Sequence, residues 1–199
     1  MLSIAVFGSG GGSNFRAILA GIREGTIPCS QISVVISDKA DSGILESARA
    51  NTLPAVHIAQ NQYPDESAFA DALLVLLQSH AVNFVVLAGY LKLVPPRVVA
   101  AYRGRMLNIH PALLPRHGGR GMYGRRVHDA VLASGEKTSG ATVHLVDEAY
   151  DRGPIVMQKS VPVLPGDTSA TLAARVLLVE HELYCAAIRS FAVMEQRDR

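Results

Sequence analysis

Cysteine is scarce in this 199-residue chain, occurring only at Cys29 and Cys185. Two thiols so far apart, with no CxxC spacing, exclude a disulfide framework and read as free thiols of a reducing cytoplasm. Charge of one sign is also missing. The chain has 19 Lys and Arg against 17 Asp and Glu, a formal charge of +2, without the clustered excess of a dedicated nucleic-acid binder. Aromatic residues make up only 6%. The local basic stretch Arg116, Arg120, Arg125 and Arg126 has only Tyr123 interleaved, and on composition it reads as a solvated loop rather than an RNA patch. No apolar run reaches membrane-spanning length, and MLSIAVF meets a glycine turn too early for a secretory signal. Repeats, low-complexity tracts and linker-like segments are absent. The expectation is a single domain over 1–199, cytoplasmic, with neither nucleic acid nor membrane as partner.

What is present is a globular composition. Hydrophobic residues reach 49%, charged residues 18%, and the mean hydropathy is +0.21, enough to bury a large core. Strand and helix patterns alternate along the first half. SIAVF (3–7), QISVVIS (31–37), PAVHI (54–58), NFVVLAG (83–89) and RMLNI (105–109) read as strands. Helical spacing appears near 14–23 and over 43–51, 65–80 and 95–102. After a glycine-rich loop, 125–134 reads as a helix. GATVHLV (140–146) and PIVMQKSVPV (154–163) read as a strand pair, and 168–193 as a long closing helix capped by Asp167 or Thr168. The pattern predicts an α/β fold: a Rossmann-like, mostly parallel sheet with helices on both faces. Right-handed crossovers bring the strand C-termini, and any ligand, to one edge.

The informative residues fall on that edge. GSGGGSN, Gly8 to Asn14, follows the first strand and opens the first helix. Its glycines let backbone approach an anion, and the helix start offers free N–H groups, with Ser13 as expected cap. The loop is neither a Walker loop nor a clean GxGxxG, so a phosphate site and a plain tight turn both remain open. LNIHPALLP, Leu107 to Pro115, ends a strand. Asn108 and His110, two residues apart, share one face, and two prolines then turn the chain away. An amide beside an imidazole suits an oxyanion forming at a carbonyl under attack. A carboxylate would complete the set by supporting the imidazolium or holding a relay water, and Asp147, Glu148 and Asp151 of VDEAYDRGP are candidates. The alternative is that His110 bonds the loop backbone and Asn108 forms a turn. His110, His128 and His144 lack metal-motif spacing, so no metal is expected. His57 and His80 read as structural, and His144, alternating with Thr142, as support for the site.

Five ordered segments carry a resemblance over nearly the whole chain: SIAVFGSGGGSN, VVLAGYLKLV, LNIHPALLP, SGATVHLVDEAYDRGPIV and VPVLPGDTSATLAARVLLVEH. Together they resemble the phosphoribosylglycinamide formyltransferases, folate-dependent enzymes of purine synthesis. The resemblance implies formyl transfer from 10-formyltetrahydrofolate, a co-substrate, to the amine of glycinamide ribonucleotide by direct attack. It implies Asn108, His110 and Asp151 as the catalytic trio, with Asn108 donating to the formyl oxygen. His110 would stabilise the oxyanion as imidazolium, and Asp151 would support that charge and hold a relay water. Thr142 would bind water. Gly11, Gly12, Ser13 and Asn14 would hold the ribonucleotide phosphate and Glu180 its ribose. Leu91, Lys92, Leu93 and Val94, with Asp147, Glu148 and Asp151, would line the folate site. The Leu114–Pro115 bond is expected to be cis, a geometry tolerated only before proline. The small-molecule substrates are then the partners, with the protein a monomer or homodimer.

Three positions depart from the family pattern. The loop Arg116 to Arg126 is lengthened, Glu66 stands where some members carry an arginine near the folate tail, and Arg152 replaces a glycine. Other readings are a formyltetrahydrofolate hydrolase or another formyltransferase on the same fold, and a non-catalytic Rossmann-like nucleotide-binding module. Convergence of Asn108, His110 and Asp151 discriminates against the last.

Overall fold

The computed structural model describes residues 1–197. Its sheet has seven strands in the order β3-β2-β1-β4-β5-β6-β7. These are β1 (Leu2–Phe7), β2 (Ser30–Ser37), β3 (Ala55–His57), β4 (Phe84–Leu87), β5 (Met106–His110), β6 (Thr138–Leu145) and β7 (Ile155–Pro162). Neighbours from β3 through β5 are parallel, and β6 and β7 are antiparallel. Ile4 to Phe7 of β1 and Phe84 to Leu87 of β4 are unbroken apolar runs, as a sheet covered on both faces requires. In β4, Phe84 and Val86 join one core while Val85 and Leu87 join the other.

The two cores define the layers. On one face, α1 (Ser13–Arg23), α2 (Gly43–Ala50), α5 (Arg125–Ala133) and α6 (Ser169–Arg197) pack through Phe15, Ile44, Val127, Leu172 and Tyr184. On the other, α3 (Glu66–Ser79) and α4 (Pro96–Ala101) pack through Phe69, Leu73 and Val98. Asp65 caps α3 by accepting from the Ala68 N–H at 2.8 Å, worth about 1 kcal/mol. Thr168 accepts from the Thr171 N–H at 3.2 Å just before α6, as expected of a cap there. Tyr184, fully buried, sets its hydroxyl 3.0 Å from the carbonyls of Leu87 and Leu107. That contact ties α6 to the last residues of β4 and to β5, which lead into the loops of the site.

The chain runs outward from β1 to β3, then returns to β4 beside β1. Such a reversal opens a crevice at the strand C-termini. No helix among the described residues is long and apolar enough to cross a membrane.

Candidate active site

The crevice widens into a cavity of about 940 Å³. Its floor begins where β1 ends. The Ser9 N–H bonds Gly89 O at 3.0 Å, and Ser9 Oγ accepts from the Leu91 N–H at 2.9 Å, so the loops after β1 and β4 are fastened together. Gly12 has φ +75°, and a Cβ there would lie 2.9 Å from Ile44 Cα. Conformation and space both demand glycine. Ser13 is not the cap of α1. Gly12 occupies that position, no side chain bonds the first turn, and Ser13 is the first helical residue. The left-handed turn at Gly12 starts the helix one residue earlier than a serine cap would, and leaves the first-turn N–H groups without a capping side chain.

Asn14 is buried beside this loop. Its Nδ2 donates to Glu180 Oε2 at 2.7 Å, while its Oδ1 has no protein partner. Burial raises the Glu180 pKa, and the Asn14 bond offsets part of that rise. Gly11, Gly12, Ser13, Asn14 and Glu180 all line the cavity. Further along α6, Ala173, Ala174 and Leu177 line it as well. Leu172, Val176, Leu183 and Tyr184 of the same helix belong to the core, so α6 serves both.

The opposite wall is the loop after β4. Leu91 and Leu93 are each 41% exposed and Val94 is buried. With Lys92 they line the cavity. Large apolar side chains left open on a loop mark a binding surface rather than core.

Between these walls, the end of β5 meets β6. Asn108 is paired with His144 and His110 with Thr142, so the four side chains share one face of the sheet. Asp151 arrives from the β6–β7 loop in a left-handed conformation, φ +55°. His110 Nδ1 lies 3.4 Å from Asp151 Oδ2. Asn108 Nδ2 donates to Asp151 Oδ1 at 3.4 Å and to His144 Nε2 at 3.1 Å. A carbonyl only accepts, so His144 must carry its proton on Nδ1, which bonds Leu145 O at 2.8 Å; that leaves Nε2 as the acceptor for Asn108. Asn108, His110 and Asp151 thus converge, and His144 touches Asn108 directly. Its alternation with Thr142 is the signal that carries it to the site.

Electrostatics within this group oppose one another. Burial lowers the pKa of His110, while the Asp151 charge and a bond to the His117 carbonyl raise it; the net shift is down. Burial would raise Asp151, but the His144 ring 3.5 Å away, the His110 charge and the bond from the Gly119 N–H outweigh it and hold the carboxyl below its ordinary value. His110 Nε2 donates to His117 O at 2.8 Å. With that proton fixed on Nε2, only the doubly protonated ring also presents an N–H to Asp151. Bonding to the loop backbone, the alternative open for His110 from sequence, therefore coexists with its place in the trio.

Two expected residues stand elsewhere. Thr142 is fully buried. Its hydroxyl donates to Ala112 O at 2.6 Å and accepts from Leu114 N at 3.0 Å and Gln158 Nε2 at 2.9 Å. All of its bonding capacity is filled by protein, so it steadies the turn after His110 rather than binding water. That turn contains the expected cis Leu114–Pro115 bond. Glu148 points away from the cavity and faces Arg103 at 3.9 Å, whereas Asp147 and Asp151 line it.

The lengthened loop is exposed at Arg116, Arg120, Arg125 and Arg126, as expected of a solvated segment, and it also borders the site. Gly119, Arg120, Met122, Arg125 and Arg126 line the cavity, and the Gly119 N–H donates to Asp151 Oδ2 at 2.9 Å. Arg126 stacks over Tyr123 at 5.2 Å. His128, buried and lining the same cavity, has no partner for Nδ1. Composition identifies such a loop only as polar and glycine-rich; where it folds back is a tertiary matter. Among the described residues no cluster of metal-ligating side chains occurs.

Comparison with known proteins points one way. The family described as "Formyl transferase" matches residues 2–188. The chloroplastic phosphoribosylglycinamide formyltransferase of Arabidopsis thaliana is 45% identical over 98% of this chain and 66% of its own length, so this chain spans just under two-thirds of that relative. The phosphoribosylglycinamide formyltransferase of Bacillus subtilis is 34% identical over 99% of this chain and 98% of its own. Among solved structures, glycinamide ribonucleotide transformylase 1 from Symbiobacterium toebii has a TM-score of 0.90 at 45% identity, covering 96% of this chain and 88% of that one.

Proposed function

The chain belongs to the formyl transferase family, and from that premise we propose that it moves a formyl group from 10-formyltetrahydrofolate to the amine of glycinamide ribonucleotide. The observation that carries the reading is one cavity with two chemically different walls and Asn108, His110 and Asp151 between them. The glycine loop with Asn14 and Glu180 suits a phosphorylated ribose: free N–H groups for the anion, a buried carboxylate for hydroxyls. The half-exposed leucines of the β4 loop, with the Asp147–Asp151 segment, suit the flat, mostly apolar folate. The names of the relatives support the same acceptor.

The chemistry asked of the trio is modest. The amine is already a nucleophile, so the site must orient it, stabilise the oxyanion and remove a proton. Asn108 spends both amide protons within the site. The longer bond, to Asp151 at 3.4 Å, is the one a formyl oxygen exchanges with most easily. His110 supplies positive charge beside that oxygen when doubly protonated, and Asp151 stabilises the imidazolium and accepts the proton released by the amine through water. Arg120, Arg125, Arg126 and Lys92 line the cavity and add positive charge toward two anionic substrates. We place this work in the cytoplasm, in a single domain acting as monomer or homodimer, without a metal.

Purified protein mixed with 10-formyl folate and the ribonucleotide tests the reading. Deformylated folate is expected only when both are present. Folate loss without the ribonucleotide would replace transferase by hydrolase, and no turnover at all would reject the acceptor.

A further inference from the structure

The loop between the two halves of the site contains a side-chain contact, His117 to Glu136, that the reaction itself does not need. His117 is a non-glycine residue at φ +52°, a left-handed conformation that costs an ordinary side chain on the order of 1 kcal/mol or more. Its carbonyl is the acceptor for His110 Nε2 at 2.8 Å. Its side chain is held from outside the cavity: Nε2 lies 3.0 Å from Glu136 Oε1, and Arg116 Nη1 stands 3.4 Å from the same oxygen. Glu136 sits in the turn between α5 and β6, on neither substrate wall.

We propose that Glu136 is a positioning residue for the formyl transfer: through His117 it holds a strained backbone carbonyl against His110, fixing the ring's orientation and its proton on Nε2. The argument is one of geometry. A residue at positive φ relaxes unless its surroundings hold it there, and the side chain of His117 is anchored by Glu136. Release of that anchor lets the 117 carbonyl turn away from His110. The ring then loses the acceptor that selects its tautomer, and with it the orientation that presents Nδ1 to Asp151. The charged and titratable groups that face His110 are Asp151 and His144 across β6, His117 in the loop and His128 from α5. Of these, the loop contact is held by a side chain outside the cavity, that of Glu136. The inference rests on the formyl-transfer reading for its kinetic arm, and it has a second arm that does not.

Glu136→Ala and His117→Ala are each expected to lower kcat about tenfold while KM for both substrates stays within a few-fold. Outer partners of metal-bound histidines give the scale, about 10- to 100-fold when removed. The double variant is expected to be no worse than either single one, because both break one link. His117→Gly removes the same side chain but takes positive φ without strain, so it should recover most of the loss. Glu136→Gln, isosteric and still able to accept, should fall between. Independently of turnover, imidazole NMR of the intact protein, with His110 assigned by its absence in His110→Gln, should show the His110 midpoint moving down in Glu136→Ala, since a lost acceptor weakens the protonated form. In kinetics the high-pH limb should move down with it. Unchanged kcat and an unchanged His110 titration, even with a lower Tm, would overturn the proposal and leave Glu136 a structural tether. A rise in kcat would overturn it too, because the carbonyl would then compete with substrate. Absence of transfer in the unaltered protein would reject the functional reading alone, and the His110 titration would still decide this one.

Discussion

Two regions build the trio's surroundings, and they differ in what made them recognisable. The end of β5 is short, regular and local. LNIH alternates, its two polar residues fall on one face, and two prolines end the strand. The loop from Arg116 to Gly124 has no period, several positive-φ residues and a basic composition. Yet both touch the same atoms: β5 brings His110 to Asp151, and the loop brings the Gly119 N–H and the His117 carbonyl to the same pair. In the proposed reaction the strand supplies the reacting groups, and the loop supplies the backbone contacts to them. Pattern therefore locates chemistry more readily than it locates the groups that tune it.

The sharpest break between the two regions is His110→Ala. Removing an oxyanion-stabilising group costs about 100- to 1000-fold in turnover, with binding of the phosphorylated substrate expected within a few-fold by calorimetry. Near-normal turnover would remove His110 from the chemistry. Next is the loop. Gly119→Pro deletes the N–H that donates to Asp151 and cannot take φ +97°. A hydrogen bond to a charged group contributes about 1.5–3 kcal/mol, so kcat should fall roughly 10- to 100-fold. An unaffected kcat would show that the loop merely covers the site. Smaller still is Thr142→Val, which strands the Leu114 N–H and the Ala112 carbonyl. The expected loss is about 1–3 kcal/mol of unfolding free energy, read by urea titration, and no loss would mean the turn repacks.

The least effect is on acid stability. Burial lowers the pKa of His110, His128 and His181 from their ordinary 6.5. The unfolded chain then binds more protons than the folded one in the window just below that value. Stability is complete above it and declines as pH falls through it. His128→Gln, at the start of the helix that follows the loop, should flatten the fall in Tm between pH 7.5 and 5.5. An unaltered slope would mean His128 is not part of it.

Much of the fold was legible because period and burial are linked. Each expected strand and helix is present with ends moved by a few residues, and the strand–helix alternation correctly implied a sheet covered on both faces. The short 3-10 turn at Gln60–Gln62 was not foreseen, since three polar residues carry no period. By residue type Ser13 is a natural cap, because serine favours that position. The tight approach of Gly12 to Ile44, residues far apart in sequence, decided otherwise. Glu148 shares its segment with Asp151 but faces Arg103 rather than the cavity, a partner far away in the sequence. Thr142 shared its face with His110, yet its hydroxyl was claimed by the turn after Leu114.

By itself the sequence determined the strand–helix alternation, the glycine turn and the polar pair at the end of β5, because these depend on spacing within a few residues. Tertiary structure alone decided which groups those residues meet. The pairing of His110 with Asp151, of Asn14 with Glu180, and of the basic loop with the cavity joins segments distant along the chain. Such meetings are set by how helices and loops fill space over the sheet edge, and the protonation states of the buried groups follow from that packing.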